Sequence, residues 1–207
     1  MPVVVFLLIF SYLVGSISFG YIFVKLLKGV DIRKFGSGNT GATNIMRVLG
    51  PAPAAAVFLL DGLKGFLAVY AARTLTGNPY IEIASAIAVV AGHNWPVFFG
   101  FKGGRGVATS LGALAGLFPV VTFWLMVIGF STIGLTKYVS MGSVLGALSL
   151  PFLIIFMVEG DKIPYLVFGT FLSLLVIIRH IPNLKRIKEG TESKVGQKVT
   201  IDSTKKR

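Results

Sequence analysis

"GVATSLGALAGLFPVVTFWLMVIGFSTIGLT", residues 106–136, carries no charge over its 31 positions and has a proline at 119. About 20 apolar residues cross a bilayer as a helix. This run is long for one crossing and short for two. The number of membrane crossings turns on how it divides. The rest of the chain is easier. It has 207 residues, 54% hydrophobic and 14% charged, where a soluble domain carries about 25% charged residues. Further uncharged runs cover Pro2–Val24, Val139–Val158 and Ile163–Ile178. In lipid every backbone amide must find a partner within its own segment, so the expected class is an all-α integral membrane bundle. Spans are expected near 3–25, 52–72, 80–99, 139–158 and 163–180. The first run lacks a basic start and a small-residue cleavage site, so it reads as a retained helix and not a signal peptide.

Charge settles the count. As one span, 106–136 makes six. The basic loops at 26–50 (Lys28, Arg33, Lys34, Arg47) and 100–106 (Lys102, Arg105) then face away from the basic tail (Lys185, Arg186, Lys188). As two short spans split at Pro119, near 106–118 and 120–135, it makes seven. Both loops, Lys137 and the tail then share one face, as the positive-inside bias of membrane proteins requires. The expectation is seven short transmembrane helices, N-terminus outside and C-terminus cytoplasmic. The net charge of +12 reflects that bias, with no need for nucleic acid as partner. The chain has no cysteine and two histidines, His93 and His180. That excludes disulfides and thiol nucleophiles and disfavours a histidine-based metal site.

Three polar segments then share the cytoplasmic face. "GSGNTGATN", 36–44, is a poor helix and a poor strand. Glycines admit positive φ and close approach of backbone to a ligand. Successive amides in such a loop can form an anion nest. The segment reads either as an ordinary linker or as a phosphate cradle built from Ser37, Gly38, Asn39, Thr40, Gly41, Ala42, Thr43 and Asn44, with Arg47 beside it. It lacks the lysine and spacing of a P-loop. "GHNWPVFFGFKGGRGVAT", 92–109, sets Lys102 and Arg105 around Gly103 and Gly104, directly before a helical run. Glycine-rich helix starts favour phosphate, and membrane anchoring of the two cations is the alternative. Its His93 is read as a satisfied helix-end residue, without an identified partner. In "RHIPNLKRIKEGTE", 179–192, His180 and Asn183 fall on one helical face unless Pro182 breaks the turn. Arg179 reads as an anchor whose head reaches the membrane surface. Glu192 is either a solvated charge or a pin between the tail and the basic loops. Asp61 and Lys64 lie at i, i+3 within an apolar span, where charge is paired or functional.

Together "GSGNTGATN…R", the 92–109 segment, "RHIPNLKRIKEGTE" and "LDGLKG" (60–65) resemble the bacterial acyl-phosphate-dependent glycerol-3-phosphate acyltransferases, over residues 1–192. Arg105 stands where that family more commonly carries lysine. The resemblance implies one membrane-embedded domain, 1–192, with a basic tail, 193–207, in a bacterial cytoplasmic (inner) membrane. It implies transfer of a fatty acyl group from acyl-phosphate to glycerol 3-phosphate, giving lysophosphatidic acid and phosphate for phospholipid synthesis. The partners are those two substrates and membrane lipids, with no cofactor and no metal. Within that frame Ser37–Asn44 holds one phosphate. Arg47, Lys102, Arg105, His180 and Asn183 bind glycerol 3-phosphate. The hydroxyl proton goes to His180 or to the substrate's own phosphate, and the latter fits the scarcity of protein bases. A transporter for an organic phosphate is the alternative, although its polar sites belong at mid-membrane. A CDP-alcohol phosphotransferase is excluded, because its metal-binding aspartates have no counterpart in the scattered Asp31, Asp61, Asp161 and Asp202.

Overall fold

The computed structural model describes residues 1–199; within the expected tail, residues 200–207 fall outside the described residues. The described chain is all helical: α1 (Pro2–Gly15), α2 (Phe19–Lys28), α3 (Ala42–Leu49), α4 (Pro51–Thr76), α5 (Pro79–Asn94), α6 (Val107–Leu117), α7 (Pro119–Thr136), α8 (Val139–Met157) and α9 (Ile163–Lys188). Among the described residues, six stretches are long and apolar enough to cross a membrane: Pro2–Lys28, Pro51–Thr76, Pro79–Phe99, Pro119–Thr136, Val139–Met157 and Ile163–Lys188.

The split at Pro119 occurs where expected. Phe118, forced out of the helical region by the following proline, sits at φ −141° and ψ 79°. Pro119 then opens α7 at a position where its missing N–H costs nothing. The first half is shorter than a span. At 11 residues, α6 rises about 16 Å, roughly half the hydrocarbon thickness. It is mostly buried and lies along α4 with backbones in contact. A Cβ at Gly112 would meet the Gly62 backbone, and one at Gly65 would meet the Thr109 carbonyl.

Two local outcomes differ from the sequence reading. The first span is broken at 16–18 into α1 and α2, where a single helix was expected. The break frees the Ile17 carbonyl to accept a hydrogen bond from Lys64 Nζ, 2.9 Å away. Conversely, Pro182 does not stop α9, which runs on to Lys188. Pro151 inside α8 cannot donate to the carbonyl four residues back. That carbonyl, Ala147 O, instead accepts from Ser173 Oγ of α9 at 2.6 Å. One apolar core joins α4–α9 through Val69, Val89, Leu114, Leu125, Ile154 and Leu172. A second, of Val24, Ile32, Ile45 and Val57, underpins the loop before α3.

Candidate functional site

Asn44, 1% exposed, builds the first loop. Its Oδ1 accepts from the Ser37 amide at 3.0 Å, and its Nδ2 donates to the carbonyls of Phe35 and Asn39 at 3.0 and 2.9 Å. Gly36 (φ +59°) is obligatory there, because a Cβ would strike Asn44 Oδ1. The Gly38 amide is bonded to Phe35 O and the Gly41 amide to Asn39 Oδ1. The expected cradle is corrected accordingly. The amides of Ser37, Gly38 and Gly41 and the side chain of Asn44 are spent on the loop itself, so they shape it. What remains for a ligand is the Ser37 and Thr43 hydroxyls and the amides of Ala42 and Thr43 at the start of α3, the Asn44 amide being bonded to Gly41 O. Asn39, Ala42 and Thr43 line a cavity together with Ser37 and Arg47; Thr40 is buried behind them.

The second segment meets the first through Arg33. Its guanidinium pairs with Asp31 at 2.7 Å, donates to the Phe99 carbonyl at 2.9 Å and lies over the Tyr21 ring. The hydrogen bonds from Arg33 hold the Asp31 carboxyl below its ordinary value, against its partial burial. Gly104 is held on all sides. Its amide donates to His93 O at 3.0 Å, its carbonyl accepts from Arg179 Nη2 at 2.6 Å, and the His93 ring occupies the space of a Cβ. Arg179, expected as a surface anchor, therefore ties α9 to this loop and stacks on Trp95. Gly103 likewise packs on the His93 carbonyl. Arg105 lines the cavity. Burial pulls its guanidinium down to about 10, which still leaves it charged at neutral pH. Lys102 goes the other way: it is exposed and absent from the cavity wall. It follows Phe101, which holds a left-handed turn at φ 59°, and this turn directs its neighbour to solvent.

On α9, His180 lines the cavity. Its Nδ1 is 2.8 Å from Val176 O; a carbonyl only accepts, so Nδ1 carries the proton and Nε2 keeps its lone pair. One helical turn on, Asn183 Nδ2 donates to Glu192 Oε1 at 2.8 Å. Glu192 is buried and is the pin between tail and loops. It accepts from Arg186 Nε at 2.7 Å and from Ser140 Oγ at 3.4 Å, and lies 3.7 Å from Arg47. Burial opposes its charge, but Asn183, Arg186 and Arg47 outweigh that and hold the carboxyl below its ordinary value. Residues 193–199 continue across the opening. The Ser193 carbonyl accepts from Arg47 Nη2 at 3.3 Å. The amides of Val195 and Val199 donate to Lys137 O and Arg47 O at 2.8 and 2.9 Å. The guanidinium groups of Arg47 and Arg186 pair with the Glu192 carboxylate, with that of Arg105 close by.

The polar groups crown a cavity of about 600 Å³. Its deeper wall is apolar: Leu59, Leu111, Leu125, Phe130, Leu150 and Val176 among others. Asp61 and His93 open on its side. Lys64 bonds Asp61 at 2.7 Å and His93 Nδ1 at 3.0 Å, so His93 has a partner that its sequence position did not disclose. Sequence reasoning had no signal for Ser140 or Val195, which reach the site from α8 and from beyond α9. The arrangement sets a cationic mouth above an apolar slot.

The family model for glycerol-3-phosphate acyltransferase matches residues 5–190. A glycerol-3-phosphate acyltransferase of Thermoanaerobacter sp. (strain X514) is 47% identical over 193 residues, 93% of this chain and 96% of the relative. One of Halalkalibacterium halodurans is 45% identical over 196 residues, 93% and 95% of the two chains. The solved structure of PlsY (YgiH), an integral membrane glycerol 3-phosphate acyltransferase, in its glycerol 3-phosphate form superposes with a TM-score of 0.87 at 39% identity, covering 93% of this chain and 96% of that one. Its lysophosphatidic acid form gives 0.85 at 38% identity, with 94% and 96% covered. The chain belongs to the glycerol-3-phosphate acyltransferase family and is an integral membrane acyltransferase.

Proposed function

We propose that this member of the family moves a fatty acyl group from acyl-phosphate to the 1-hydroxyl of glycerol 3-phosphate, releasing 1-acyl-glycerol 3-phosphate and phosphate for phospholipid synthesis. The observation that carries the reading is the junction of Arg47, Arg105, Ser37 and His180 with an apolar slot in one cavity. The slot suits an acyl chain and the mouth suits two phosphates. The related PlsY crystallised with glycerol 3-phosphate and with lysophosphatidic acid, the acceptor and the product of this reaction. The chain crosses the bacterial inner membrane seven times, with α6 as the short crossing, the N-terminus outside and the mouth on the cytoplasmic face. Clustering of the basic loops and tail supports that orientation. Residues 1–192 act as one domain.

The donor is a mixed anhydride and needs no further activation. The site's work is positioning and charge stabilisation. The acceptor hydroxyl oxygen attacks the acyl carbon. The bond from that carbon to the phosphate oxygen breaks, and phosphate leaves with the electron pair. The hydroxyl proton passes to a phosphate oxygen, while His180 Nε2 orients the hydroxyl. The arginines stabilise the charge on the leaving phosphate. Ser37 is a binding hydroxyl without an acyl-enzyme step, since among the described residues no base is bonded to its Oγ.

Purified protein is incubated with labelled glycerol 3-phosphate and either acyl-phosphate or acyl-CoA. Labelled lysophosphatidic acid from acyl-phosphate is expected. Turnover with acyl-CoA alone overturns the donor assignment. Uptake of label into vesicles without any product overturns the enzyme reading in favour of transport.

A further inference from the structure

The acidic and basic groups at the mouth are explained by phosphate. Asp61, Lys64 and His93 are not: they are buried, lie to one side, and belong to α4 and α5. A buried Asp–Lys pair at i, i+3 is complete in itself. At 2.7 Å the two charges cancel, and neutrality requires no third group. Yet Lys64 also hydrogen-bonds His93 Nδ1 at 3.0 Å and the Ile17 carbonyl at 2.9 Å, and Asp61 Oδ1 lies 3.5 Å from the same His93 Nδ1. An ammonium only donates. His93 Nδ1 must therefore accept, which fixes the Nε2–H tautomer and the plane of the ring.

That plane matters because of what rests on it. The ring fills the place of a side chain at Gly104, and the backbone carbonyl of the same histidine supports Gly103 and accepts the Gly104 amide. Arg179 holds the Gly104 carbonyl from the opposite side. Gly104 is thus clamped by His93 and Arg179, and the next residue is Arg105, the cation on the cavity wall.

We propose that Asp61, Lys64 and His93 are positioning residues for acyl transfer: a buried relay of hydrogen bonds that sets the His93 ring, and through it the register of the Gly103–Gly104 loop and the aim of Arg105. The relay spans the broken first helix, α4, α5 and the loop before α6, so it ties the reacting mouth to three transmembrane elements. It touches the loop and not the reacting atoms. The inference rests on the acyl-transfer reading above.

The test uses full-length protein in detergent, with melting temperature, KM for glycerol 3-phosphate and kcat measured on each variant. Displacement of a positioned group by about 1 Å costs up to about 100-fold in rate. His93→Ala is therefore expected to lose at least about tenfold in kcat/KM per folded molecule, with KM for glycerol 3-phosphate rising. His93→Asn, whose Oδ1 replaces Nδ1 as acceptor from Lys64 but which leaves the ring's place at Gly104 empty, is expected to recover part of it. The double variant Asp61→Asn with Lys64→Met keeps the site neutral and close in volume, and is expected to show the same kinetic defect because the ring loses its donor. A lower melting temperature with unchanged constants per folded molecule, in either His93→Ala or the double variant, overturns the proposal and leaves a structural pair. Equal defects in His93→Ala and His93→Asn also overturn it. A wild type inactive with every donor overturns the acyl-transfer reading instead.

Discussion

Replacing Glu192 by glutamine tests whether the tail is part of the machine. The side chain keeps its length, and Oε1 still accepts from Asn183 at 2.8 Å. The amide that replaces Oε2, however, turns a donor toward Arg186 Nε, now 2.7 Å from an acceptor. A charge-assisted bond worth about 1.5–3 kcal/mol is lost. Arg47, 3.7 Å away, loses its counter-charge beside the guanidinium groups of Arg186 and Arg105. Breaking a buried pair by removing one partner costs about 3–5 kcal/mol. For a chain of this size each kcal/mol is worth about 2–4 °C, so a fall in Tm of about 6–20 °C is expected at pH 7. The sign with pH follows from the lowered carboxyl value. The stabilisation is complete above the ordinary carboxyl pKa of about 4.3 and is lost as pH falls through the lower folded value. Thermal unfolding of wild type and Glu192→Gln from pH 7 down to about pH 2, below the lowered folded value, is the assay. The gap between them should narrow as the pH approaches the acid end. An equal gap at both ends, or none at pH 7, refutes the account of Glu192 as a charged keystone.

Arg105→Ala should raise KM for glycerol 3-phosphate about tenfold or more, one charge-assisted contact being worth at least about 1.4 kcal/mol, whereas Lys102→Ala should stay within about twofold; the reverse order would show that the cavity assignment is wrong. Gly112→Ala puts a Cβ onto the Gly62 backbone and should destabilise by about 1–3 kcal/mol through forced separation of α4 and α6, and an unchanged Tm would mean that the seam is loose. Gly38→Ala meets both a φ of +70° and the Arg33 carbonyl 3.2 Å from the new Cβ, so activity should fall in protein that remains folded; wild-type turnover would return the first loop to the status of a linker. In this cysteine-free chain, Lys188→Cys should react with an impermeant thiol reagent only from the cytoplasmic side, and labelling from outside alone would eliminate the seven-span topology.

Residues that act through their neighbours in sequence were legible. Pro119 announced a helix break because proline restricts the residue before it, and Phe118 obeys. The i, i+3 spacing of Asp61 and Lys64 announced their pair. The three polar segments were read together from their charge, and Ser37, Arg105 and His180, one from each, line one cavity. What failed is what depends on distance. Lys102 and Arg105 are three apart and chemically alike, yet a left-handed Phe101 sends one to water and leaves the other in the cavity. Nothing local to Arg179 says that a carbonyl 75 residues away will meet it. Asn44 was a plausible donor to a ligand until the folded loop supplied Phe35 and Asn39 carbonyls for its amide. The break at 16–18 had a local signal, the Gly-Ser-Ile-Ser of residues 15–18, but its use, a carbonyl for Lys64 of another helix, did not.

The unequal division of the 106–136 run has a consequence for catalysis. With the turn at Phe118–Pro119, α7 has 18 residues and α6 has 11, rises of about 27 and 16 Å. A hairpin of two such helices leaves the start of α6 about 10 Å short of the end of α7. The chain before it, Gly100–Gly106, makes up the difference as irregular backbone. Irregular backbone at membrane depth survives only where protein or a wet cavity satisfies it. Here His93 O and Arg179 satisfy Gly104, and the remainder borders the cavity at Arg105, Gly106 and Val107. The first amides of α6 have no acceptors of their own and point the positive end of a helix dipole the same way. A full-length helix at this position would have carried Arg105 out to the surface, beside Lys102. The short one holds a cation and a helix start at the cavity wall, between the cationic mouth and the apolar slot.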